Sequence, residues 1–167
     1  MDAVYFKGKP VHLEGNLAQK GAPAPDFTAV NQEFEEVKFS DYKDRIKVLT
    51  SFLSLDTSVC DLQVKKFNEE AVKLASGIRV IGISMDLPFA QKRFCEMNEI
   101  KNVEVVSDYR YRSFGENYGL LVKEFKLLAR SILIVEDGIL SYVNVNRELS
   151  EPPDYEDALN VLGRMRG

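Results

Sequence analysis

Cys60 and Cys95 are the two cysteines of this 167-residue chain, and they are the side chains best suited to covalent chemistry in it. Cys60 follows an apolar run from Ile46 to Leu53 and a polar stretch, Ser54-Leu55-Asp56-Thr57-Ser58. The run is rich in β-branched residues and too short for a typical helix, which predicts a buried central strand. Thr57 or Ser58 can cap the helix that follows, so Cys60 falls in its first turn, where unpaired backbone N–H groups favour negative charge. Such a setting suits a thiolate. Moving a thiol from a pKa of about 8.5 to about 6 takes about 3.4 kcal/mol, and a helix dipole contributes only about 0.3–1 kcal/mol, so a cationic neighbour is required. The competing reading places Cys60 on the apolar stripe with Val64 and Phe67, as a small buried hydrophobe.

Arg130 is the candidate cation. It lies between Leu127-Leu128-Ala129 and Ser131-Ile132-Leu133-Ile134, and a charge inside a central strand is costly without a partner, so an anion is expected beside it. Its guanidinium keeps its charge and offers several donors in a rigid fork, so it can hold a thiolate and polarise a bound oxygen. The alternative is an arginine at a strand end, its head in water and paired with a carboxylate. Cys95 stands about 35 positions beyond Cys60, so the two do not form a Cys-x-x-Cys centre. A bond between them needs Cα atoms within about 7 Å, which separation along the chain does not fix. Taken alone, Cys95 reads as an inert helix cysteine. The lone His12, with no spaced His or Cys cluster, argues against a zinc site or a His-dependent triad. No glycine-rich phosphate loop precedes a helix, and Lys65-Lys66 and Lys92-Arg93 read as solvated helix faces.

The elements that must position these residues are legible in outline. Val4 to Lys7 and Pro10 to Leu13 predict a hairpin with Gly8 first in a type II′ loop. Phe27 to Val30 and Glu36 to Phe39 predict a second. After the central strand, the helix of Cys60 carries the stripe Val64, Phe67, Ala71 and Leu74, with Gly77 placed to stop it. Arg79 to Ser84 predicts a strand, Asp86-Leu87-Pro88 opens a helix carrying Cys95, and Val103 to Val106 predicts a further strand. A short helix, Ser113 to Tyr118, precedes one strand from Leu127 to Val135, interrupted by Arg130 and joined through Glu136-Asp137-Gly138 to Ile139–Val145. Pro152-Pro153-Asp154 begins a closing helix that runs to about Met165. Strands joined by helices and finished by a hairpin imply an α/β fold, a mixed sheet with helices on both faces. No linker or repeat divides residues 1–167, so a single domain is expected.

Composition narrows the partners. With 45% hydrophobic and 29% charged residues the chain is of the globular class. A net charge of -4 provides no positive field for nucleic acid or an anionic membrane surface. No apolar stretch approaches the roughly 18 residues of a membrane-spanning helix. The opening Met1-Asp2-Ala3-Val4-Tyr5-Phe6-Lys7 lacks the pattern of a signal peptide, so a cytoplasmic location is expected. In a reducing compartment two cysteines read as free thiols or a transient redox pair.

Several segments together carry a resemblance: Phe6-Lys7-Gly8, Ala24-Pro25-Asp26-Phe27-Thr28, Ser54-Leu55-Asp56-Thr57 with Val59-Cys60-Asp61, Phe67-Asn68-Glu69, Ser84-Met85-Asp86-Leu87-Pro88-Phe89-Ala90-Gln91, Ser113-Phe114-Gly115, Leu128-Ala129-Arg130, and Glu151-Pro152 with Asp154-Tyr155. Over nearly its whole length the chain resembles the thiol peroxidase branch of the peroxiredoxins, the atypical two-cysteine enzymes of bacteria. The resemblance implies a thioredoxin-like fold with an N-terminal β-hairpin. Cys60 is then the peroxidatic cysteine, Thr57 and Arg130 complete its pocket, and Cys95 is the resolving cysteine that closes an intramolecular disulfide. It further implies hydrogen peroxide and organic hydroperoxides as substrates, thioredoxin as reductant, a homodimer, and no metal or prosthetic group. One departure stands out: Leu53 occupies the position where the family's active-site loop usually begins with proline, seven residues before the peroxidatic cysteine. Leucine does not fix φ as proline does, so a less rigid loop is expected. The alternative functions are a redox sensor or holdase using the same thiols, and a structural module with two inert core cysteines.

Overall fold

The computed structural model describes residues 3–74 and 77–165; Met1 and Asp2, part of the leader reading, lie outside them. The chain opens with strands β1 (Val4–Phe6) and β2 (Lys9–Val11), an antiparallel pair in which Val4 faces Val11 and Phe6 faces Lys9. Val4 and Val11 are both buried, and a slip of one residue would turn both outward, so the register is fixed by burial. This corrects the expected loop: Lys7 and Gly8, not Gly8 and Lys9, form it, with φ of 50° and 80°. Two consecutive positive values make a type I′ turn, whose twist matches the strands.

Strand β3 (Leu13–Glu14) leads to the second hairpin, β4 (Thr28–Val30) and β5 (Glu36–Lys38), and a turn of 3₁₀ helix at Phe39–Asp41. β6 (Ile46–Ser51) follows, then α1 (Ser58–Ala71), β7 (Ile78–Ser84), α2 (Pro88–Met97), β8 (Glu104–Ser107) and α3 (Ser113–Tyr118). The helix α1 stops before Gly77. Its last turn tightens where Lys73 and Leu74 donate to the Glu70 and Ala71 carbonyls, satisfying groups that would otherwise lack partners. Leu74 packs against the core from outside the helix, and Gly77, with φ +89°, turns the chain into β7.

The strand expected from Leu127 to Val135 is two elements. After β9 (Leu121–Val122), β10 (Leu127–Leu128) pairs back on β9, and β11 (Ser131–Glu136) enters the main sheet. Ala129 and Arg130 lie at the crossing between the two sheets, which is why the charge sits in neither strand. β12 (Ile139–Val145) returns through Asp137-Gly138, both at positive φ, and α4 (Tyr155–Arg164) closes the chain with Asp154 as N-cap.

Among the described residues the main sheet has seven strands in the order β12-β11-β6-β7-β8-β4-β5. β6, β7 and β8 are parallel, and the outer pairs are antiparallel. Consecutive residues Val48 to Ser51 in β6 and Ser131 to Val135 in β11 are all buried. Strands buried at successive positions are covered on both faces, as in α/β sheets. α1 packs against β7, α2 against β8 and α3 against β4. A mixed central sheet with flanking helices and an N-terminal hairpin is the thioredoxin-like arrangement, and it sets the starts of α1 and α2 at the ends of neighbouring parallel strands.

Candidate active site

Thr57, not Ser58, caps α1. Its hydroxyl oxygen accepts from the Cys60 backbone N–H at 3.3 Å and donates to the Ser54 carbonyl at 3.0 Å. An N-cap of this kind contributes about 1 kcal/mol, and here it also fixes the loop that presents Cys60. The cysteine stands in the first helical turn and is fully buried, on one face with Val64 and Phe67. Both sequence readings therefore describe the same residue: Cys60 is at once a helix-start thiol and a member of the apolar stripe.

Arg130 is 1% exposed, which overturns the reading of a solvated arginine paired with a carboxylate. Its Nε donates to the Leu149 carbonyl at 3.0 Å and its Nη1 to Gln63 Oε1 at 2.8 Å. Among the described residues no ion pair to a carboxylate is made by this guanidinium. Held by these two neutral oxygens, the charge remains available to an anion that approaches it.

Gln63 was not anticipated. It is fully buried one turn beyond Cys60 and, besides accepting from Arg130, donates to Thr50 Oγ1 at 2.5 Å and to the Ser51 carbonyl at 3.1 Å. Ser51 Oγ in turn donates to the Ala129 carbonyl at 2.7 Å. The polar pair Thr50-Ser51 at the end of β6 thus ties the helix of Cys60 to the crossing that carries Arg130. A glutamine at the i+3 position of an otherwise apolar stripe was the available signal, since a buried amide must find partners. Tyr155 at the start of α4 was also missed. Its ring meets Phe67 edge-on at 5.7 Å, its hydroxyl is buried, and burial pushes its pKa up to about 12 against the opposing pull of Arg130.

A pocket of about 560 Å³ opens over this cluster, lined by Thr57, Ser58, Val59 and Arg130, with apolar walls from Phe6, Leu53, Phe125 and Leu127. Phe6 and Phe125 meet edge to face at 5.1 Å. Leu53, the departure from the expected proline, is 4% exposed and forms part of the wall. The N-terminal hairpin reaches the pocket because it is stapled to the segment before α4. Glu148 accepts from the Lys7 and Gly8 N–H groups at 3.0 and 2.8 Å, and Leu149 donates its N–H to the Tyr5 carbonyl at 2.8 Å. Leu149 is the residue whose carbonyl holds Arg130, so hairpin and guanidinium share one support.

Cys95 lies on α2, 7% exposed, and both cysteines are free thiols. Gln32 Nε2 donates to its sulfur at 3.4 Å. Burial pushes the Cys95 thiol above its ordinary range, and the Gln32 bond offsets part of that rise. The structure brings Cys60, Thr57 and Arg130 to one site and holds Cys95 apart, on the neighbouring helix.

A thioredoxin-like sheet presenting a cysteine at a helix start, over a buried arginine and under an apolar pocket, is the architecture of peroxide-reducing thiol enzymes. A family model described as Redoxin matches residues 19–159, and the chain belongs to that family. A curated relative named thiol peroxidase from Oceanobacillus iheyensis is 42% identical over 98% of this chain and all of its own length. A thiol peroxidase from Listeria innocua is 45% identical over 96% of this chain and 98% of its own, and one from Bacillus subtilis is 44% identical over 96% of each. The crystal structure of a peroxiredoxin-like protein from Aquifex aeolicus superposes with a TM-score of 0.89 at 40% identity, covering 96% of this chain and 95% of that one. A thiol peroxidase from Chromobacterium violaceum, at 18% identity and TM-score 0.85, shares the fold.

Proposed function

We propose that this chain reduces hydroperoxides by a two-cysteine cycle in which Cys60 is oxidised and Cys95 resolves it. The observation that carries the reading is the placement of Cys60: a buried thiol at the N-terminus of α1, on a helix that Gln63, one turn on, ties to a buried guanidinium with no carboxylate ion pair among the described residues. The chain is a thiol-dependent peroxidase of the peroxiredoxin type, its substrate a hydroperoxide and its reductant a thiol.

In the first step the Cys60 thiolate attacks the terminal peroxide oxygen. The O–O bond breaks, Cys60 becomes a sulfenic acid, and the other oxygen leaves as water or an alcohol after taking a proton. Charge grows on the departing oxygen, and Arg130, Thr57 and the Cys60 backbone N–H are the donors that stabilise it, by the logic of an oxyanion hole. At rest the Thr57 hydroxyl is committed to Ser54 and the Cys60 N–H to Thr57. Substrate therefore competes for these two donors, and the hydroxyl turns toward it. The apolar walls accept the organic part of a larger hydroperoxide, while hydrogen peroxide uses the polar floor alone.

In the second step the Cys95 thiol condenses with the sulfenic acid, forming a disulfide within one chain and releasing water. Both cysteines are buried on separate helices, so the first turn of α1 and part of α2 must unwind for the sulfurs to meet. Thioredoxin, homodimeric assembly, a single domain spanning residues 1–167 and a bacterial cytoplasmic setting belong to this reading. They rest on the resemblance and on two thiols suited to a reducing compartment. A redox sensor or holdase using the same thiols is not favoured, because the relatives matching over nearly the full length are named thiol peroxidase.

The experiment is multiple-turnover peroxide consumption with thioredoxin, its reductase and NADPH. Sustained turnover, abolished in Cys60→Ser, is expected. A single burst with no recycling by any dithiol would remove the two-cysteine cycle.

A further inference from the structure

Asp86 lies in neither cysteine-bearing helix, yet its carboxylate joins the approaches to both. Oδ1 accepts from Ser54 Oγ at 2.9 Å, and Oδ2 accepts from the Leu55 N–H at 2.9 Å. These donors belong to the loop that delivers Cys60 to α1. On the other side, Ser84 Oγ donates to Oδ2 at 2.6 Å, and the same hydroxyl accepts from Gln91 Nε2 at 3.1 Å. Gln91 is buried on α2, one turn before Cys95, and also donates to the Val106 carbonyl at 2.9 Å. The backbone of Asp86 is pinned separately: its carbonyl accepts from Ser107 Oγ at 2.6 Å. The residue is therefore fixed to β8 at its main chain and grips the Cys60 loop with its side chain, two positions before the first residue of α2.

We propose that Asp86 is the positioning residue that holds the Cys60 loop and the Cys95 helix in the reduced arrangement, so that release of its carboxylate sets the rate of disulfide closure. The proposal rests on the two-cysteine cycle. Three donors converge on this carboxylate from side chains and backbone, and hydrogen bonds to charged groups are the stronger class. While they hold, the Ser54 carbonyl stays in place, and with it the Thr57 cap and the first turn of α1. When they break, the loop detaches from the turn between β7 and α2, and the segment leading into α1 loses that anchor. Because α2 is reached from the same carboxylate through Ser84 and Gln91, the two openings are coupled. Asp86 does not touch the pocket or the sulfurs; it acts through Ser54, Leu55 and Ser84.

The test separates the two chemical steps by stopped flow, in wild type, Asp86→Asn and Ser54→Ala. The Asp86→Asn side chain retains one acceptor oxygen, so the closed arrangement weakens and disulfide closure accelerates by about tenfold, the effect of losing roughly one such bond. Ser54→Ala, which removes the Oδ1 contact and the acceptor of the Asp56 N–H but leaves both Oδ2 contacts, accelerates closure less. Amide hydrogen exchange in the reduced Asp86→Asn protein rises together over residues 54–60 and 88–95. Unchanged closure in both variants, or faster exchange confined to one of the two segments, would overturn the shared anchor. Failure of the underlying cycle looks different: wild type itself would form no internal disulfide.

Discussion

Gln63 and Arg130 share a hydrogen bond of 2.8 Å between two buried side chains beneath the pocket. One is a single turn from Cys60 on α1, and the other sits at the crossing between two sheets. The bond makes the position of the guanidinium depend on the helix that carries Cys60. Replacing Gln63 with leucine fills the space but leaves a charged donor unpaired, a cost of about 1.5–3 kcal/mol. Peroxide reduction should fall by about tenfold to a hundredfold, since the misplaced donor no longer meets the developing charge. Gln63→Glu keeps an acceptor but sets a carboxylate on the guanidinium and removes the donor to the Ser51 carbonyl, so it should not restore the rate. Equal rates for leucine and wild type would remove Gln63 from the support of the site.

Arg130→Ala removes the charge itself. Loss of one aimed donor to a developing oxyanion costs about a hundredfold to a thousandfold in rate, and the second-order constant for peroxide should fall at least that far. Arg130→Lys should recover little, because an ammonium cannot reach both Gln63 and Leu149 as the planar fork does. A lysine variant with full activity would show that charge alone, without the fork, is sufficient.

Cys95 gives the second step its own pH dependence. Its thiol is raised above the ordinary range by burial, so in the closed arrangement the nucleophilic thiolate is scarce near neutrality. Disulfide closure should accelerate as pH rises above neutrality, while oxidation of Cys60 changes less over the same range. Gln32→Leu, which removes the hydrogen bond that offsets part of this rise, should move the closure profile to higher pH. Closure independent of pH between about 6 and about 9, an interval that includes the ordinary thiol range, would contradict this.

Glu148 predicts how the pocket responds to acid. Its carboxyl is held down to about 2, against the usual 4.5, first by the Ser150 hydroxyl and then by backbone N–H groups including those of Lys7 and Gly8. The unfolded chain thus binds more protons between about 4.5 and about 2, so stability from this staple is complete above that window and is lost as pH falls through it. The Lys7 and Gly8 amide resonances should titrate near the lower limit. In Glu148→Gln they should exchange faster even at neutral pH, with the Phe6 wall loosened. A midpoint near 4.5, the ordinary value, would show that the carboxylate does not hold the hairpin.

The start of α1 was legible because capping residues, apolar spacing and the preceding strand all act locally, and Cys60 and Thr57 fall where those signals put them. The I′ loop at Lys7-Gly8 was missed by one residue, since the deciding fact is the burial of Val4 against Val11, a property of the tertiary fold. Strands β3, β9 and β10 have two residues each, too few to show a period of two. The charge of Arg130 flagged it as a site residue, but its partner Gln63 lies 67 positions away, and no local pattern announces such a contact. Asp86 was visible only as part of a matching segment; its role depends on Ser54, which the fold brings to it from the adjacent strand's end. The resemblance assigned the cysteines, and the geometry supplied what holds them.

The most direct test of the central claim mixes reduced protein with one equivalent of hydroperoxide, then measures free thiols and intact mass under denaturing conditions beside Cys60→Ser and Cys95→Ser. The two-cysteine cycle predicts rapid loss of both thiols and of two hydrogens from a monomeric chain, no reaction in the Cys60 variant, and added oxygen on Cys60 without an internal bond in the Cys95 variant. Two untouched thiols in the wild-type chain, or equally rapid oxidation of Cys95 in the Cys60 variant, would contradict it.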